Sequence, residues 1–117
     1  MAFQLIRTET FLHPCALVQY EENGKTVESK LRVRFNKIAR AKWDELTGAS
    51  SDDDRLLFDV VVHKIEDEII DGDRKLSGDE AMAVIRDDLS LTAQVVEQFI
   101  EVHFGAAAKN ARRSRGR

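Results

Sequence analysis

The chain has 117 residues, enough for one domain with a real core and too few for two. It carries no apolar run of membrane-spanning length, and Arg7 and Glu9 interrupt the start where a signal peptide would need a continuous apolar stretch. A single cysteine, Cys15, makes neither an internal disulfide nor a metal site by itself, which fits a small strand residue in a reducing compartment.

The net charge of −3 is unevenly spread: Lys109–Arg117 holds five basic residues and no acidic one, so the remainder is an acidic body near −8. We expect residues 1–108 to form one α+β domain, with 109–117 as a disordered basic tail. An acidic body of this kind does not favour nucleic acid, whereas the basic tail could offer it phosphate contacts.

In chain order, Phe3–Ile6 is a short apolar start, read as an edge strand or a cover over the core. Thr8–Pro14 has loop character. Cys15–Tyr20 and Lys25–Phe35 then form a hairpin around Asn23-Gly24, a pair that tolerates the positive φ of a type I′ turn. A two-residue loop there predicts the register i + j = 47, with Tyr20 opposite Val27, Val18 opposite Ser29 and Ala16 opposite Leu31. Val27, Leu31, Val33 and Phe35 alternate with Glu28, Lys30, Arg32 and Arg34, which makes the second strand half-buried and its charged row a solvated face in preference to a phosphate-binding stripe, since no aromatic interleaves with it to stack bases.

Asn36 is placed to cap a short helix whose apolar face is Ala39, Trp43 and Leu46, with Gly48 as its stop. Ala49–Asp54 reads as a polar loop in which Ser51 resembles a cap for the next helix. That helix is predicted from Asp53 to about Ile65, its density of Leu, Phe and Val requiring cover on more than one side, with His63 a core or boundary residue. Glu66–Asp73 lacks the acids an EF-hand needs at its third and twelfth positions and reads instead as a turn at Asp71-Gly72.

Ser77-Gly78-Asp79-Glu80 fits a capping box, Ser77 accepting from the Glu80 N–H and opening a helix that breaks near Asp87-Asp88-Leu89. Ser90 is the expected cap of a last helix running from Leu91 to about Ala107. Its stripe of Leu91, Val95, Phe99 and Val102 is widened by Ile100 and Phe104. Val95, Phe99, Ile100 and Phe104 are candidates for a partner or self-association surface; the alternative is that all four are core.

No phosphate-binding glycine loop, nucleophile elbow or Cys–His pair is present, and His13, His63 and His103 are scattered. The reading is therefore of a non-enzymatic protein with no cofactor and no metal.

Three segments carry a family likeness. Thr10–Pro14 leads into the hairpin that ends in Leu31-Arg32-Val33-Arg34-Phe35. Val60–Ile65 is followed by Asp71-Gly72 and Leu76-Ser77. Val95–Ile100 continues through Gly105–Asn110. In that order of parts the chain resembles the tail assembly chaperones of long-tailed bacteriophages, although His63-Lys64 stands where those proteins often carry an aromatic. The resemblance implies an oligomer-forming protein of the host cytoplasm that binds the tape measure protein while the tail tube assembles, and that does not stay in the mature virion. A structural minor tail or head–tail connector protein, retained in the virion, is the alternative; a small DNA-associated regulator using the basic tail is a third reading.

The resemblance also implies a longer product made by −1 frameshifting, whose extension recruits tail tube subunits. Ala108-Lys109-Asn110 is compatible with GCA AAA AAC, which contains the slippery heptamer A AAA AAC in frame. Sequencing of the gene tests this: GCA AAA AAC is the expected reading, and an AAG codon at Lys109, or an Ala108 codon not ending in A, excludes this heptamer.

Overall fold

The computed structural model describes residues 2–48 and 54–105. It shows an α+β fold: a three-stranded antiparallel sheet of order β1-β2-β3, a separate two-stranded sheet and four helices. The Ala49–Asp53 stretch of the polar loop, the last turn expected for the final helix and the basic tail with Ala108-Lys109-Asn110 lie outside the described residues.

β1 (Thr10–Tyr20) and β2 (Thr26–Asn36) make a long hairpin, eleven residues on each side. β1 starts five residues earlier than expected and takes in Phe11 and Pro14. Proline is tolerated because β1 is an edge strand. The backbone N–H and C=O of Val18 both point outward, where they bond the Gln94 side chain, and alternation sends the N position of Pro14 the same way.

The register differs from expectation by one residue. Partners sum to 46: Phe11 faces Phe35, Cys15 faces Leu31 and Leu17 faces Ser29. The loop holds three residues, Glu22-Asn23-Gly24. The Gly24 N–H donates to the Glu21 carbonyl at 2.9 Å and the Glu21 N–H to the Lys25 carbonyl at 2.7 Å, with Gly24 at φ +89°. A tight turn closed by one left-handed glycine serves the hairpin as well as the two-residue type I′ loop does. Core demand decides between them, because a slip of one residue exchanges faces. The observed register buries Cys15 and Leu17 alongside Val33 and Phe35, whereas the expected one turns Ala16 and Val18 inward.

Asn36 ends β2 and donates from Nδ2 to the Val60 carbonyl at 3.0 Å; it does not cap a helix. α1 (Arg40–Gly48) carries Trp43 and Leu46 against the core, as expected. The apolar segment after it is divided. α2 (Asp54–Val61) stops short, and β3 (Val62–Ile65) turns to pair with β2 at Val33–Phe35 through an irregularity between Arg34 and Phe35. Helical periodicity does not separate these halves, but the β-branched Val62 and Ile65 suit an extended chain and β2 had an open edge to fill. His63 consequently stands exposed on β3, outside the core.

β4 (Ile69–Asp71) and β5 (Arg74–Leu76) form a small hairpin around Gly72-Asp73, with Gly72 at φ +63°. The acidic turn is therefore the tip of a hairpin. Ser77 precedes α3 (Gly78–Asp87) but makes no side-chain cap, because Gly78 at φ +58° departs from the right-handed turn that a capping box needs; Glu80 lies 3.6 Å from Arg74. Asp88, not Ser90, caps α4 (Leu89–Phe104), its Oδ1 accepting from the Leu91 N–H at 3.0 Å. Ser90 Oγ accepts from Gln94 Nε2 instead.

α4 lies over the inner face of β1 and β2 and against α2 and α3. Val95, Val96, Phe99 and Ile100 meet Phe35, Val33, Phe58 and Val61 in one buried cluster. Thr92 Oγ1 bonds the carbonyls of Ile85 and Arg86, both at 3.0 Å, fixing the α3–α4 corner. Arg86 makes a two-pronged contact with Asp59 at 2.6 and 2.9 Å, tying α3 to α2.

A Cβ added at Gly24 meets nothing within 4 Å, so any cost there comes from backbone strain alone. Gly24→Val is expected to lower stability by about 1 kcal/mol or more, read as a shift of the urea midpoint with unchanged slope.

Candidate functional site

The C-terminal half of α4 ends in an aromatic cleft. Phe99, fully buried, meets Phe35 edge-on at 5.4 Å between ring centroids, Trp43 at 5.5 Å and His103 at 4.2 Å. Trp43 also meets Phe104 at 5.6 Å, and His103 meets Phe11 at 5.5 Å. The 3.6-residue period places Phe99 and His103 one turn apart on α4, with Phe104 at its rim. α1 supplies Trp43 across the gap, and Ile38 and Arg40 complete a cleft of about 200 Å³.

His103 Nδ1 lies 2.9 Å from the Phe99 carbonyl. A carbonyl only accepts, so Nδ1 carries the proton and the ring is held in one orientation over the Phe99 face. The cleft thus has an apolar floor, a rigid aromatic wall and a cationic edge at Arg40. It contains no nucleophile–base pair.

The four residues singled out from the α4 stripe fall into two groups. Val95, Phe99 and Ile100 are core, at 0, 1 and 4 % exposure; of the three, only Phe99 borders the cleft, beneath its more exposed walls. Phe104 is 41 % exposed and sits in the cleft wall. Ile38, Arg40, Trp43 and His103 were not singled out as site residues. Trp43 had a signal, being the sole tryptophan on the apolar face of a short helix. The approach of α1 to the end of α4 is a tertiary contact with no local trace.

The charged row on β2 is largely neutralised by the segment after β3. Arg32 Nε bonds Asp67 at 2.8 Å, and the same carboxylate accepts from the Arg32 backbone N–H at 2.7 Å. Arg34 Nε bonds Glu66 at 2.7 Å, with Lys64 at 3.6 Å from that carboxylate. The side-chain hydrogen bond from Arg34 holds the Glu66 carboxyl below its ordinary value, and the Arg32 backbone N–H does the same for Asp67. Guanidiniums engaged this way make a poor phosphate track. Burial pushes the Cys15 thiol up to about 12, which leaves it un-ionised at neutral pH. Among the described residues no cluster of three or more His, Cys, Asp or Glu side chains could hold a metal ion, and no helix is long and apolar enough to cross a membrane.

The chain matches no protein-family model, no curated protein and no solved structure.

A carboxyl with a depressed folded-state pKa stabilises the fold above its unfolded pKa and loses that contribution as pH falls through the folded value. The ordinary values are 4.5 for Glu66 and 3.8 for Asp67. Glu66→Gln/Asp67→Asn is therefore expected to melt below wild type at neutral pH, with the gap closing progressively as pH drops below 4.5. Parallel melting curves across that acid range would contradict the assignment.

Proposed function

We propose that this protein is a non-enzymatic assembly chaperone that binds the tape measure protein of a long-tailed phage while the tail tube forms. The observation that supports this reading is the half-open aromatic cleft of Trp43, Phe99, His103 and Phe104. A tape measure protein is a long helical chain whose apolar face aggregates unless covered. A rigid aromatic cleft suits such a target. One apolar side chain from an amphipathic helix packs into the cleft beside the touching rings of Trp43 and Phe104, where aromatic surface desolvates at little conformational cost. Arg40 at the rim pairs with an acidic residue flanking that anchor.

The order of segments that resembles tail assembly chaperones supplies the identity of the target, and the cleft supplies the means of holding it. In the same reading, a frameshifted longer form recruits tail tube protein, and the chaperone leaves before the virion is complete.

The test is co-expression with the tape measure protein encoded in the same genome, followed by co-purification. Wild type is expected to retain the tape measure in soluble form. Phe104→Asp places a charge in the exposed cleft wall and is expected to reduce recovery at least about tenfold, equivalent to about 1.4 kcal/mol of binding, with the melting temperature nearly unchanged. Aggregation of the tape measure in the presence of wild type contradicts the proposal, as does equal recovery with the folded Phe104→Asp variant.

A further inference from the structure

The N-terminal arm before β1 is unusual in what it leaves in solvent. Phe3 is 91 % exposed, Ile6 73 % and Leu5 58 %, and the arm forms no strand and covers no part of the core. Its anchorage is at its far end: the Lys37 backbone N–H donates to the Glu9 carbonyl at 2.9 Å, and Lys37 Nζ to the Ile6 carbonyl at 3.2 Å. Three large apolar side chains in four residues, displayed on an extended chain, have the form of a docking segment.

The same molecule presents a groove of matching character. It has a volume of about 690 Å³ and an apolar floor that includes Leu17, Leu31, Ile69 and Ile85. One wall is β2, the other is the β4–β5 hairpin, where Ile70 is 71 % exposed. The β2 wall is an unfilled strand edge. β3 pairs with β2 only at Val33–Phe35. The Arg32 N–H and C=O face that side, taken by Asp67 and by the Glu66 N–H. By alternation, the backbone groups of Lys30 and Glu28 face the same way, and among the described residues no strand meets them.

Arm and groove agree in length, pattern and charge. Phe3–Ile6 in extended form is about 13 Å long, four residues of strand, matching the open stretch Glu28–Leu31. Phe3 and Leu5 then fall on one face, toward Leu17 and Leu31. Arg7 follows them, while the groove carries Asp67, Glu68, Asp71 and Asp88 against the one base Lys30. Asp67 is committed to Arg32 and Asp88 to the first turn of α4, so Glu68 and Asp71 are the carboxylates offered to Arg7.

The arm of the same molecule does not reach. Leu17 lies eight residues along β1 from Glu9, about 27 Å. From its anchor at Glu9, Phe3 extends at most about 22 Å and Leu5 about 14 Å, and the arm must first reverse direction. We infer that the groove takes Phe3–Ile6 of a second copy as an added strand on the open edge of β2, with Arg7 against Glu68 and Asp71. Such a contact is heterologous, joining the arm of one copy to the groove of another. It rests on the arm and the groove and is independent of the aromatic cleft.

The experiment is sedimentation equilibrium of the full chain over a range of concentrations, with Leu5→Asp to disable the arm and Ile70→Asp to disable the groove. Both residues are exposed, and circular dichroism checks that both variants fold. Wild type is expected to gain mass with concentration, and each variant alone is expected to remain monomeric. An equimolar mixture of the two is expected to form a one-to-one dimer, because one competent arm then meets one competent groove. A monomeric wild type overturns the inference, as does either variant associating like wild type or a mixture that stays monomeric. Association that survives Leu5→Asp but is lost on removing residues 109–117 assigns the groove to the basic C-terminal segment and overturns it equally.

Discussion

The contact between Phe35 and Phe99 is the one on which the other contacts depend. Phe35 is the last inward residue of the central strand and Phe99 lies in the middle of α4, and both are fully buried. Edge-on packing of two large rings fixes both the height and the rotation of the helix over the sheet. Once α4 is set, Val95 and Val96 are driven into the same cluster, α2 brings Phe58 and Val61 against it, and Trp43 of α1 closes on the outer side of Phe99. Removing the Phe99 ring leaves a cavity bordered by the sheet and α1, a change of the kind that costs about 3–5 kcal/mol.

That contact also accounts for where surface remains available. α4 continues for one more turn past Ile100, its last buried residue. Phe99 seals the core, His103 is locked to the Phe99 carbonyl, and Phe104 stands beyond them against Trp43 and His103. The cleft is what remains where a core helix outruns its core. At the other end, the β1–β2 hairpin outruns the helices, leaving an apolar groove beside a strand edge that no other strand meets among the described residues. Each end of α4 thus borders an apolar concavity, the aromatic cleft at its C-terminal end and the groove near its N-terminal end.

The protein manages its edges unevenly. At Val18 on β1, the Gln94 side chain donates to the carbonyl and accepts from the N–H, as a neighbouring strand would. On β2, Asp67 closes the Arg32 N–H, and among the described residues no strand meets the outward positions past it, Lys30 and Glu28. Edges left open in this way favour pairing with another chain, and an apolar arm on the same molecule gives the pairing a specific candidate.

How far the sequence alone determines this protein follows from the range of each interaction. Period-two alternation from Val27 to Phe35 determines β2, Asn23-Gly24 the hairpin turn, and the Asp87-Asp88-Leu89 break the two last helices, because these signals are local. Local signals do not count residues across a loop, so the register, and with it the choice of Cys15 and Leu17 over Ala16 and Val18, is settled by what the core accepts. Nor do they tell a buried helix from a buried strand in Val60-Val61-Val62-His63: the open edge of β2 makes the second half β3 and puts His63 in solvent. The α4 stripe is legible as apolar, but its division into core Val95, Phe99 and Ile100 and exposed Phe104 is not. Hydrophobicity says that a side chain gains from leaving water; only the partners arriving from β2, α1 and α2 decide which of them does.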